Sequence, residues 1–215
     1  MTHSLDFAGV DEKLFLLQQL ILASQPYCRI SNICQGSYPY GDDDWNDYNH
    51  KIKPVVCGYL IEIAAKVRIL EDTSRPHARP STFVRANRYA TEDIPLGTIH
   101  RGNFDLTVRE ACNKIIHATR VELDWITRNS KSSDRYTHWT GKVHLHGERG
   151  KDSWHLELDV HGWTVAVDTY IEEIICSEDT QALISGERLT IHSSRRRFAA
   201  RLNSGVRRHT NQCRK

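Results

Sequence analysis

The spacing of apolar residues changes period along this chain, and the changes predict its elements. Within Leu5–Ile33, Leu14, Leu17, Leu20, Ile21 and Ala23 form one wide apolar face behind Asp11, a suitable N-cap, and Pro26 ends or kinks the segment. Over Val55–Glu71, Val56, Tyr59, Leu60, Ile63, Ala64, Val67 and Leu70 recur at helical spacing. A third helix is expected over Leu106–Ile126, capped by Asp105, with Val108, Ala111, Cys112, Ile115, Ile116, Ala118, Thr119 and Leu123 on its buried side. The period then drops to two. Trp139, Gly141, Val143 and Leu145 alternate with polar residues, and after Gly147–Asp152 so do Trp154, Leu156, Leu158 and Val160, which predicts an antiparallel hairpin over 136–161. Trp163–Cys176 returns to helical spacing with Val165, Val167, Tyr170, Ile171, Ile174 and Ile175, although its β-branched content leaves a strand open for part of it.

These elements predict a mainly α fold: a four-helix bundle-like domain over residues 10–176, with an antiparallel β-hairpin inserted before the last helix. A lone hairpin is marginal in water, so its Trp/Leu/Val face must lie on the helices. Two stretches read as irregular. Cys34–Pro54 is Gly- and Asp-rich, and its acidic cluster Asp42–Asp44 lacks the spacing of a calcium loop and reads as solvated. Residues 73–105 form a long basic loop broken by Pro76, Pro80 and Pro95. Its Arg75, Arg79, Arg85, Arg88 and Arg101 fit either a mobile linker or a phosphate-rich partner. Beyond Ser177 the periodicity fades, and 177–215 reads as a basic, disordered tail.

Composition narrows the setting. No uninterrupted run of 18 apolar residues occurs, and the N-terminus has no basic stretch followed by an apolar one, so a membrane span and a secretory signal are not expected. Six cysteines without a CxxC pair suit reduced thiols in a cytoplasmic protein, with Cys28 and Cys34, flanking a short turn, as the alternative redox pair. The formal net charge of +2 hides an asymmetry. Nine of the 29 Lys and Arg follow Glu187 and no carboxylate does, so residues 1–187 hold 20 basic against 27 acidic side chains, a net of −7. The tail's Arg195–Arg197, Arg201, Arg207 and Arg208 suit RNA, DNA or an acidic partner, or a solvated terminus.

Two groups of residues carry candidate chemistry. On the expected third helix, Arg109, Asn113 and His117 are spaced four apart and share one stripe beside the apolar face. An imidazole, an amide and a guanidinium so placed serve either as satisfied core groups, with Arg109 paired to a carboxylate such as Glu71 or Asp72, or as RNA-cleaving machinery. On the hairpin, His144, His146, His155 and His161, with Glu157 and Asp159, project to one side. They form either a solvated polar face or a metal site. No helix supplies an identifiable further ligand, so the sequence assigns no metal and no cofactor and keeps this face as the alternative. There is no Gly-rich phosphate loop, no GxSxG elbow, no HExxH and no internal repeat.

The run Asn113-Lys-Ile-Ile-His117, on a late helix of a bundle, resembles the HEPN superfamily of RNases and nucleotide-binding modules. The family pattern is an Arg, usually followed at once by Asn, Asp or His, then a His with four to six residues between Arg and His. The resemblance implies a metal-independent endoribonuclease of a defence or toxin type, with His117 as base on a ribose 2′-hydroxyl, Arg109 stabilising the phosphate and Asn113 orienting. It also implies RNA as substrate and a homodimer. Cys112 stands where the family's Arg would precede Asn113, and Arg109 is separated from His117 by seven residues. A non-catalytic relative that binds nucleic acid, a nucleotide or a protein is therefore the alternative.

Overall fold

The computed structural model describes residues 7–36, 42–129 and 135–177. Its elements run α1 (Phe7–Ile30), α2 (Asp42–Ser74), α3 (Pro80–Thr91), β1 (Gly97–Arg101), α4 (Val108–His117), β2 (Arg120–Asn129), β3 (Arg135–Arg149), β4 (Asp152–Asp159) and α5 (Val160–Ile175). The four strands form a single antiparallel sheet in the order β1-β4-β3-β2. The expected four-helix bundle with an inserted hairpin is therefore corrected to a helix-plus-sheet fold with, among the described residues, five helices and four strands. The basic tail beyond Ser177 lies outside the described residues.

Three segments account for the correction. The expected helix Leu106–Ile126 stops at His117. Ala118 turns to extended backbone, and the Thr119 N–H donates to the His146 carbonyl at 2.8 Å, which starts β2 along β3. Residues 120–125 alternate Arg-Val-Glu-Leu-Asp-Trp, and this period of two prevails over the shorter helical match of Thr119 and Leu123. The expected loop 73–105 holds α3, opened by Pro80 at its first turn, with Phe83, Ala86 and Ala90 buried at helical spacing. It also holds β1, whose five residues pair with β4 rather than with a sequence neighbour. The expected loop Cys34–Pro54 gives way to helix from Asp42, and Pro54 lies inside α2.

One core joins the helices to the inner face of the sheet. α1 contributes Val10, Leu14 and Leu17 at spacings of four and three, and α2 contributes Val56, Leu60, Ile63 and Val67. The sheet contributes Val143, Leu145, Leu156 and Leu158, which face one another in register: Val143 opposite Leu158, Leu145 opposite Leu156. Each such side chain, fully buried, contributes about 1.5–3 kcal/mol. The alternation turns Lys142, His144, His146, His155 and Glu157 to the other face.

Side-chain caps fix the starts of α4 and α5. Thr107 caps α4, its hydroxyl accepting from the Glu110 N–H at 3.1 Å, and Asn87 of α3 accepts from the Val108 N–H at 2.9 Å. Asp159 caps α5 by accepting from the Gly162 N–H at 3.0 Å. Among the described residues no helix is long and apolar enough to cross a membrane.

Candidate functional site

α4 is short, and its two faces differ. Val108, Ala111, Cys112 and Ile115 are buried, and Cys112 is fully enclosed, with burial pushing its thiol up to about 12. The opposite stripe opens onto a cleft of ≈ 580 Å³. Arg109, Asn113 and His117 all line it, beside Lys114 of the same helix. Arg68 of α2 and Arg149 and Trp154 near the β3–β4 turn close the other sides. The structure thus brings the three expected residues to one cavity.

Their surroundings differentiate them. Arg109 is committed to carboxylates: Nη1 lies 2.9 Å from Glu71 Oε1, and Nη2 donates to Asp72 Oδ1 at 3.0 Å. Glu71 is buried and also accepts from Arg75 at 2.6 Å. Arg68 donates to the other oxygen of Asp72 at 3.3 Å. Burial would raise the Asp72 carboxyl, but the hydrogen bonds and charges of Arg109 and Arg68 outweigh it and hold that carboxyl below its ordinary range. Asn113 donates through Nδ2 to Glu110 Oε2 at 2.9 Å, while its own Oδ1 is buried without a hydrogen bond from the described residues. His117 ends the helix and is exposed.

Sequence reasoning missed the rest of this lining: Arg68, Glu110, Lys114, Glu148, Arg149 and Trp154. Lys114 is buried, yet its ammonium is satisfied: Nζ lies 3.2 Å from Glu110 Oε1 and 4.1 and 4.5 Å from the ring centroids of Phe104 and Trp154. Trp154 can lie across β3 because its partner there is Gly147, where a Cβ would collide with the indole. A Gly147→Ala variant should therefore lose about 1–3 kcal/mol in chemical denaturation by overpacking against Trp154. A lysine amid apolar helical positions was the available signal, but it reads equally well as a surface residue.

The second group lies on the outer face of the sheet. His144 Nδ1 and His155 Nε2 are 3.0 Å apart, and His146 stacks on His155 with centroids 4.1 Å apart. His100 of β1, which the sequence did not single out, stacks on His155 from the other side at 4.6 Å. It arrives through an irregularity in the β1–β4 register between Ile99 and Arg101. His161, expected on this face, lies in the first turn of α5, while Asp159 stays at the end of β4 opposite Lys142 and caps that helix. Burial, then the neighbouring His146, His100 and His144, push the His155 imidazole below its ordinary value. Glu157 accepts from Lys142 at 2.7 Å, which holds its carboxyl low, and its other oxygen lies 3.2 Å from His100 Nε2.

Comparison with models of known protein families, with curated proteins and with solved structures finds no match to this chain.

Proposed function

We propose that the α4 cleft binds a phosphate-bearing ligand, an RNA strand in the first instance, and that it binds without cutting. The observation that carries this reading is the double commitment of Arg109. Cleavage by 2′-hydroxyl attack needs a cation free to meet charge developing on the phosphate, and both terminal nitrogens of Arg109 already face Glu71 and Asp72. Arg149 and His117 stand exposed in the lining of the cleft, beside Lys114, with Glu148 as the exposed carboxylate among them. Cleavage is the second reading. It is favoured by the exposure of His117, whose imidazole can reach a ribose hydroxyl proton there.

Fluorescence anisotropy with labelled single-stranded RNA, in EDTA and at two salt concentrations, tests both. Binding should weaken with salt, and Arg149→Ala should weaken it on every sequence while lowering the log–log salt slope by about 1. The RNA should remain intact on a gel. Cleavage that disappears in His117→Ala would replace binding with catalysis, and no binding at low salt would overturn both. Self-association belongs to the same proposal. Its support is the exposed apolar Phe15, Leu22 and Ile30 on α1, and sedimentation equilibrium should return a dimer mass.

A further inference from the structure

We propose that His100, His144 and His155 form a binding site for one divalent transition metal of the zinc class, with a fourth coordination position open to solvent. The site lies on three adjacent strands, outside the α4 cleft, and does not depend on the reading of that cleft.

One ring nitrogen from each of the three histidines lies within 4.8 Å of the others. In a tetrahedral site with Zn–N bonds of 2.0–2.1 Å, ligand nitrogens stand about 3.3 Å apart. The His144–His155 pair, at 3.0 Å, is already at that separation to within a few tenths of an ångström. Its two nitrogens share one proton in a hydrogen bond, and a metal would take that proton's place once both rings turn their lone pairs toward it. The third ring must close by roughly 1.5 Å on the same scale, a side-chain rotation available to His100, whose side chain is 42% exposed.

The backbone explains why these three meet. His146 is opposite His155 across β3 and β4, so His144 sits on the diagonal, where a ring still reaches across to its neighbour. On the next strand the register pairs Ile99 with Leu156 and Arg101 with His155, leaving His100 as the extra residue of the bulge. Alternation from Ile99 puts His100 on the outer face of the sheet, and its ring stacks on His155 with centroids 4.6 Å apart.

The donor set selects the ligand. Three neutral imidazoles suit zinc, copper and nickel and offer nothing to magnesium or calcium, which take oxygen. Glu157, fixed by Lys142 on one oxygen and beside His100 on the other, adds a negative charge next to the ligands and orients that ring. Three protein ligands and one open position is the layout that leaves a metal-bound water, in contrast to the closed four-ligand sets of structural zinc.

Titration of ZnCl₂ into the full chain against a chromophoric chelator reads the site. One equivalent should bind, with affinity lowered at least tenfold in each of His100→Ala, His144→Ala and His155→Ala, and roughly tenfold in the positioning variant Glu157→Gln. His161→Ala should leave the affinity unchanged, and excess Mg²⁺ should not compete. Co²⁺ in place of zinc should give the intense visible bands of a four-coordinate centre, lost in the His144→Ala/His155→Ala double variant. Circular dichroism of the metal-free variants should match that of the parent, because the face is outside the core. Zinc binding that persists in the double variant, depends on His161, or is absent from the parent chain would overturn the proposal.

Discussion

Cys112→Arg should unfold the protein or destabilise it by at least about 4 kcal/mol, the largest single-residue effect expected anywhere in α4. The motif proposed from the sequence around Asn113 and His117 would put an arginine immediately before the asparagine, so this substitution completes it on paper. In the fold it cannot work. Position 112 is on the opposite side of the helix from the cleft, with no exposed surface, packed by Trp163 and close to Glu71. An arginine there would bring extra side-chain volume and a charge into the core and point away from any phosphate in the cleft. Urea denaturation followed by far-UV circular dichroism measures the loss. A variant as stable as the parent would show that α4 is rotated from the orientation described, and with it the assignment of the cleft face.

The second large effect is expected from the Glu71–Arg109 pair. Glu71→Met should cost about 3–5 kcal/mol, because it removes the buried carboxylate facing two guanidiniums, Arg75 just after α2 and Arg109 of α4. Arg109→Met should cost less, since Arg75 still neutralises Glu71. The double variant should be clearly more stable than the two single losses added together, because its partners leave as a unit. The pair also predicts a pH dependence. The folded Asp72 carboxyl is held below its unfolded value of about 3.9. Its stabilisation is therefore present above that pH and is lost as pH falls through the lower folded value. Arg109→Met removes the larger of the two arginine contributions, so stability in this variant should fall less steeply below pH 4 than in the parent. Parallel acid titrations of the two proteins, followed by thermal melting, check the sign.

How much of this was legible beforehand depends on how far apart the interacting residues lie. The apolar rows of α1 and α2 were visible because one period persists from Leu14 to Ala23 and from Val56 to Leu70, and the β3–β4 hairpin because its partners are adjacent in sequence. The α4 stripe was readable for the same local reason: Arg109, Asn113 and His117 do share a face. What remained hidden was non-local. β1 is five residues long and carries no alternation strong enough to stand out from an arginine-rich stretch, and its partner lies beyond α4, β2 and β3. β2 was absorbed into the preceding helix because Thr119 and Leu123 extend a helical match by one turn, while only the His146 carbonyl on a distant strand decides where that helix ends. The histidine group was half visible. Alternation gave His144 and His155, but His100 lies on β1, and a strand not expected from its sequence carries no face to be read.

The pairing of β1 with β4 has a consequence for the order in which the protein is made. Gly97–Arg101 leaves the ribosome before α4, β2 and β3, and has no strand to join until Ser153–Asp159 follow. At 5–20 residues per second that wait is on the order of 3–12 s, during which the edge meant for β4 is unpaired in the nascent chain. His100 and His155 belong to the two sides of this gap. The histidine triad is complete only once the sheet has closed, so metal capture by it would mark the end of sheet assembly during synthesis.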